Sequence, residues 1–126
     1  MLKTGIKGNQ TVVVSEENTA KTVGSGTLEV FATPAMTALM EKTAWQSVAE
    51  ELEEGCGTVG ISLNITHDAP TPLGMKVTCE SVLTGIEGRK LIFEVQVSDE
   101  RGPVGKGIHE RFIVDDRKFQ EKANAR

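Results

Sequence analysis

The sequence predicts an α+β fold in which one long helix packs inside a curled antiparallel sheet. Three observations carry this. One helical segment is apolar over a broad arc. Four later segments read as strands. The turns between the last three strands are too short for anything but antiparallel neighbours.

In chain order, residues 11–15 read as a strand, from the run Thr11-Val12-Val13-Val14. The polar, Gly-containing stretch 16–26 reads as a loop or flap. Thr33-Pro34 marks a helix start: Thr is a capping residue, and Pro tolerates the first helical position because its missing N–H has no partner there anyway. The helix runs to about 54 and stops at Gly55. Met36, Leu39, Met40, Ala44, Trp45, Val48, Ala49 and Leu52 cover more than one stripe, so something must enclose it. The glutamates at 50, 51, 53 and 54 form a solvated end.

Residues 58–66 alternate, with Val59, Ile61, Leu63 and Ile65 on one face and Gly60, Ser62, Asn64 and Thr66 on the other. Residues 68–74 form a loop. Strands follow at 75–84, 89–98 and 104–114. Leu91, Phe93, Val95 and Val97 share a face. From Asp115 onward the chain reads as a charged, fraying tail.

The 126 residues fit a single domain, 1–126. Aromatic content is 4%, with no Tyr, so the core rests on aliphatic residues and would gain from being shared across a dimer. Net charge is −4, and no long basic cluster exists, which argues against nucleic-acid binding. No segment approaches a membrane span. The N-terminus lacks a signal peptide's apolar core. Cys56 and Cys79 have no metal spacing and read as reduced thiols in a cytoplasmic protein. Cys79 fits the core.

The chemistry-bearing candidates are Thr33, Glu41 and His67. If the strand register holds past Ile65, His67 points inward at the strand end, where sites are often built. Alone, it also fits a core histidine bonded to a backbone carbonyl. Glu41 lies among Thr37, Ala38, Ala44 and Trp45. A carboxylate there needs a partner unless that face reaches solvent. Thr33 fits a cap, and a helix start also offers free N–H groups to a developing oxyanion. Together the three suit acyl transfer. No Gly-x-Ser-x-Gly elbow is present, and His67 and His109 lack companions at metal-ligand spacing. Arg111 alternates with His109 on the last strand and suits a phosphate or a carbonyl, or simply an acid neighbour. Gly60 allows close approach of a backbone or ligand, or marks a bulge. Arg89 and Lys90 form a small basic spot.

Taken in order, Val30-Phe31-Ala32-Thr33, Leu39-Met40-Glu41, Thr66-His67, Pro72-Leu73-Gly74, Glu87-Gly88-Arg89 and His109-Glu110-Arg111 resemble the hotdog-fold acyl-CoA thioesterases, specifically the fluoroacetyl-CoA thioesterase-like group. The resemblance spans about residues 11–119. It implies a hotdog fold and a dimer whose sheets join edge to edge, or a dimer of dimers. It implies hydrolysis of a coenzyme A thioester, and the resulting expectation is a short-chain acyl-CoA cleaved to the acid and CoA, with no cofactor and no metal. It places catalytic roles on Thr33, Glu41 and His67, and substrate contacts on Gly60 and Arg111. Members acting on fluoroacetyl-CoA carry aromatics just before the Val-Phe-Ala-Thr motif, where this chain has Thr22-Val23-Gly24-Ser25-Gly26-Thr27-Leu28. The alternatives are an acyl-CoA-binding module without turnover and a cystatin-like interaction domain.

Overall fold

A computed structural model describes residues 1–126. The elements are β1 (Lys7–Val13), a 3-10 turn (Glu16–Asn18), α1 (Ala20–Val23), α2 (Thr33–Val48), a second 3-10 turn (Ala49–Glu51), β2 (Cys56–His67), β3 (Lys76–Glu87), β4 (Lys90–Asp99), β5 (Gly102–Asp115) and α3 (Asp116–Asn124). The sheet has the order β1-β3-β4-β5-β2, antiparallel throughout. The α+β expectation is met, with α2 lying against the inner face.

That inner face is aliphatic. Val77, Cys79 and Leu83 of β3, with Leu91, Phe93, Val95 and Val97 of β4, are all buried. From α2 come Met36, Leu39, Met40, Ala44 and Val48, the stripe spacing of a core-facing helix. The sheet meets the helix most closely at glycines. A Cβ on Gly105 would lie 2.5 Å from the Thr66 carbonyl oxygen and 2.9 Å from Met36 Sδ.

Several boundaries and connections differ from the sequence reading. Helix α2 ends at Val48 and tightens into a 3-10 turn instead of reaching 54. Carboxylates at a helix C-terminus oppose its dipole, and Glu50, Glu51, Glu53 and Glu54 crowd that end. The N-cap is Ala32, and Thr33 is the first helical residue, so its hydroxyl caps nothing. Segment 16–26 is folded: Ser15 and Asn18 form a capping box, Thr19 caps α1, and Lys21 N donates to Leu28 O at 3.0 Å. The tail from Asp116 is helix α3, capped by Asp115, whose side chain accepts from Lys118 N. Trp45 is 43% exposed, so the sheet leaves part of the helix's apolar arc uncovered.

The link from β2 to β3 is a crossover. It carries the chain from one sheet edge to a place between β1 and β4. It passes over the start of α2, where Phe31 N donates to Thr71 O at 2.9 Å, while Thr71 Oγ1 donates to Asp99 Oδ2 at 2.7 Å.

The most consequential difference lies in β2. Gly60 pairs with Arg111 and Ser62 with Glu110, leaving Ile61 as an extra bulged residue. Each bulge residue reverses the alternation of the strand beyond it. Thr58 and Gly60 therefore share the inner face with Leu63, Ile65 and His67, whereas Val59 pairs with Phe112 on the outer side. The expected alternation holds only from Leu63 onward.

Replacement Gly105→Ala places a methyl against backbone with no room to move. It should cost about 1–3 kcal/mol, read as a lower urea midpoint with unchanged slope. An unchanged midpoint would show that β2 and the Met36 side chain give way without cost.

Candidate active site

His67 closes β2 beside the N-terminus of α2. Its Nδ1 lies 2.7 Å from Thr33 Oγ1. This bond takes the hydroxyl that a capping role would have used. His67 Nε2 is buried and has no protein partner. Burial lowers the pKa of the ring below the ordinary imidazole value, opposed by the negative charge of Asp68 and by the Ala69 backbone. The ring is thus held toward its neutral form, which can take a proton. A cavity of about 290 Å³ adjoins the pair, walled by Ala20, Val30, Phe31, Ala69 and Pro70.

Glu41 sits two helical turns further along α2, in a second cluster. Its side chain is 40% exposed, and Oε2 lies 3.2 Å from Arg111 Nη1. The Arg111 side chain is only 6% exposed, so its charge needs partners close by. Nε donates to Thr58 Oγ1 at 2.7 Å and Nη2 to Thr58 O at 2.9 Å. Nη1 also lies 3.1 Å from His109 Nε2. Gly60 makes room for this arrangement, since a Cβ there would collide with the Glu41 carboxylate. The bulge at Ile61 is what turns Gly60 and Thr58 toward it.

The structure therefore joins Thr33 to His67, and Glu41 to Gly60 and Arg111, but no hydrogen bond or ion pair links the two groups. Eight residues of helix separate Thr33 from Glu41, a rise of about 12 Å. Arg111 approaches the site mainly as the partner of Glu41, with four of its contacts already spent on protein.

Two contributors escaped the sequence reading. His109 is fully buried, with Nδ1 2.8 Å from Ser62 O. Thr58 supplies two acceptors to Arg111. The available signal was the pair of polar residues alternating on the inner face of β5, which must find buried partners. Lys90 leaves the small basic spot to pair with Glu87 and Glu110, at 3.4 and 3.6 Å. Arg89 borders a larger cavity of about 580 Å³ with Leu2, Cys56, Ile113 and Lys118. That cavity contains none of the acid–base residues, so the smaller one beside His67 is the better candidate for chemistry. No group of three or more His, Cys, Asp or Glu is placed to hold a metal. No helix is long and apolar enough to cross a membrane.

Residues 14–117 match the family model described as fluoroacetyl-CoA-specific thioesterase. The fluoroacetyl-CoA thioesterase of Streptantibioticus cattleyicolor is 40% identical over 94 residues, covering 75% of this chain and 68% of that protein. A solved structure of the fluoroacetyl-CoA thioesterase FlK superposes with a TM-score of 0.94 at 32% identity, covering 100% of this chain and 98% of the other. A hot-dog-like protein from Thermanaerovibrio acidaminovorans superposes with a TM-score of 0.88 at 27% identity, over 97% and 90% of the two chains. With its helix held in a curved five-stranded sheet and its histidine, threonine and glutamate at the helix–strand seam, the chain belongs to the fluoroacetyl-CoA-specific thioesterase family and is a hotdog-fold acyl-CoA thioester hydrolase.

Proposed function

We propose that the enzyme hydrolyses short-chain acyl-CoA thioesters at a site assembled from two copies of the chain, Thr33 and His67 coming from one and Glu41 from the other. One observation carries this reading. The two groups stand about 12 Å apart within one chain, yet both border the same unpaired sheet edge. Strand β2 bonds to β5 on one side only. Ile61 is 50% exposed, and Leu63 is exposed as well. A free, partly apolar edge invites pairing with another strand.

Antiparallel pairing of β2 with its own copy, centred near residue 62, sets each Gly60 end beside the other chain's His67 end. Trp45, one turn beyond Glu41, extends the apolar surface available to that contact.

In this site the start of α2 presents backbone N–H groups to the thioester carbonyl and steadies the oxyanion. His67 and Glu41 ready a water for attack, the half-exposed carboxylate keeping one oxygen on Arg111 and leaving the other for the water. Gly60 and Arg111 shape the same wall. The cavity beside His67 suits a short acyl chain. Segment 22–28, between the cavity residues Ala20 and Val30, has no aromatic side chain. This supports an acyl group other than fluoroacetyl as the physiological one. The two unpaired thiols support a cytoplasmic location.

Mixing is the decisive experiment. His67→Ala and Glu41→Gln should each lower kcat by roughly 10²–10⁴-fold, and co-refolding the two inactive variants should restore activity through the one intact site of the mixed dimer. No recovery from a mixed dimer of proven composition would place the site within one chain.

Lowered basicity sets the pH profile. Because burial disfavours the charged ring, His67 remains a free base below its ordinary pKa of about 6.5. The acid limb of kcat/KM should therefore lie below that value, activity falling only as the pH drops through the depressed pKa. A limb above 6.5 would remove His67 as the base.

A panel of acetyl-, propionyl-, butyryl- and fluoroacetyl-CoA should show no strong preference for the fluorinated substrate over acetyl. A preference above about a hundredfold would mean that discrimination does not need the aromatic residues.

A further inference from the structure

We infer that His109 is a positioning residue of the hydrolase: a neutral ring, protonated on Nδ1, that fixes the Arg111 guanidinium and through it the Glu41 carboxylate. The inference rests on the role proposed above for Glu41. The ring is fully buried on the inner face of β5. Its Nδ1 faces Ser62 O at 2.8 Å, a carbonyl that can only accept, so Nδ1 carries a proton. Its Nε2 faces Arg111 Nη1 at 3.1 Å, a guanidinium that can only donate, so Nε2 carries none. One tautomer satisfies both neighbours, and the charged ring satisfies only one.

Burial and the Arg111 charge also hold the ring neutral, against the Ser62 carbonyl and the carboxylates Glu41 and Glu110. Phe93 stacks on it at a centroid distance of 6.3 Å, fixing the ring plane.

The consequence reaches the carboxylate through one nitrogen. Arg111 Nη1 has two protons, one toward His109 and one toward Glu41. Thr58 fixes Nε and Nη2 from the other side of the fork. With His109 removed, Nη1 loses the acceptor that sets its tilt. Misplacing a reacting group by about 1 Å can cost roughly a hundredfold in rate. His109 touches neither the cavity nor the Thr33–His67 pair, so substrate affinity should be little affected.

The test combines nitrogen NMR with kinetics. In the wild type, long-range 15N–1H correlations of His109 should show a protonated Nδ1 and a bare Nε2, with the Arg111 guanidinium signals resolved and slow to exchange. A ring protonated on Nε2 at neutral pH overturns the inference without any variant. His109→Leu should lower kcat by about ten- to a hundredfold with KM within about twofold, and should set the Arg111 signals free. His109→Gln, whose carbonyl can still accept from Nη1, should recover most of kcat. A folded His109→Leu with wild-type kcat and unchanged Arg111 signals sinks the inference, even if its melting temperature falls.

Should Glu41→Gln keep full activity, the reading of the site fails instead. The Arg111 signals in His109→Leu would still decide the positional claim.

Discussion

A buried guanidinium organises one half of the candidate site. Arg111 is nearly enclosed, and a charge in that position is tolerated only when its donors are met. Thr58, His109 and Glu41 meet them from β2, β5 and α2. Each partner makes its own demand in turn. Thr58 and Gly60 must face inward on the same strand that turns Leu63, Ile65 and His67 inward, which requires the bulge at Ile61. Gly60 must lack a side chain, because Glu41 occupies the space a Cβ would fill. One cation thus sets the strand irregularity, the identity of a glycine and the direction of a carboxylate on a neighbouring helix.

The second cluster follows different physics. Thr33 and His67 are brought together by where two elements end, the first turn of α2 and the last residue of β2. The crossover loop secures that meeting by holding Phe31 through Thr71, which is itself tied to Asp99 at the end of β4. The histidine is half sheltered, inclined to neutrality and left with an unpartnered Nε2. Its place at a cavity mouth beside a helix N-terminus suits acyl transfer, in which a neutral base takes a proton from water while backbone donors hold the carbonyl oxygen.

The separation of the two clusters connects the catalytic question to the assembly question. A hotdog sheet ending in a bare β2 edge has an unsatisfied ladder beside exposed Ile61, Leu63 and Trp45. Completing that ladder with a second copy uses the same edge along which the two clusters are offset. Activity and association would then depend on the same strand, and its bulge would serve both by aiming Gly60 inward while presenting Ile61 outward.

The sequence by itself determined a good deal. The aliphatic alternation of β4, the breaker at Gly55 and the order of strand segments specified an α+β protein with one helix against an antiparallel sheet, because period and turn chemistry are local properties, and the ordered short motifs added the hotdog resemblance. The candidate residues for the chemistry were legible as well, since a carboxylate and an imidazole at inward-facing positions of a helix and a strand end call for a partner. Only the tertiary structure decided how they combine. Strict alternation assigned Gly60 to the face opposite His67, and the structure puts both on the inner face, because one inserted residue reverses a strand's alternation without a local mark. Thr33 read both as a cap and as a member of an acyl-transfer set, and only the folded chain removes the cap by making it the first helical residue with its hydroxyl on His67. The 3-10 ending of α2 and the folded segment 16–26 likewise depend on which groups meet in space. His109 and Thr58 remained inconspicuous because buried polar residues show their purpose only through partners that are distant in sequence.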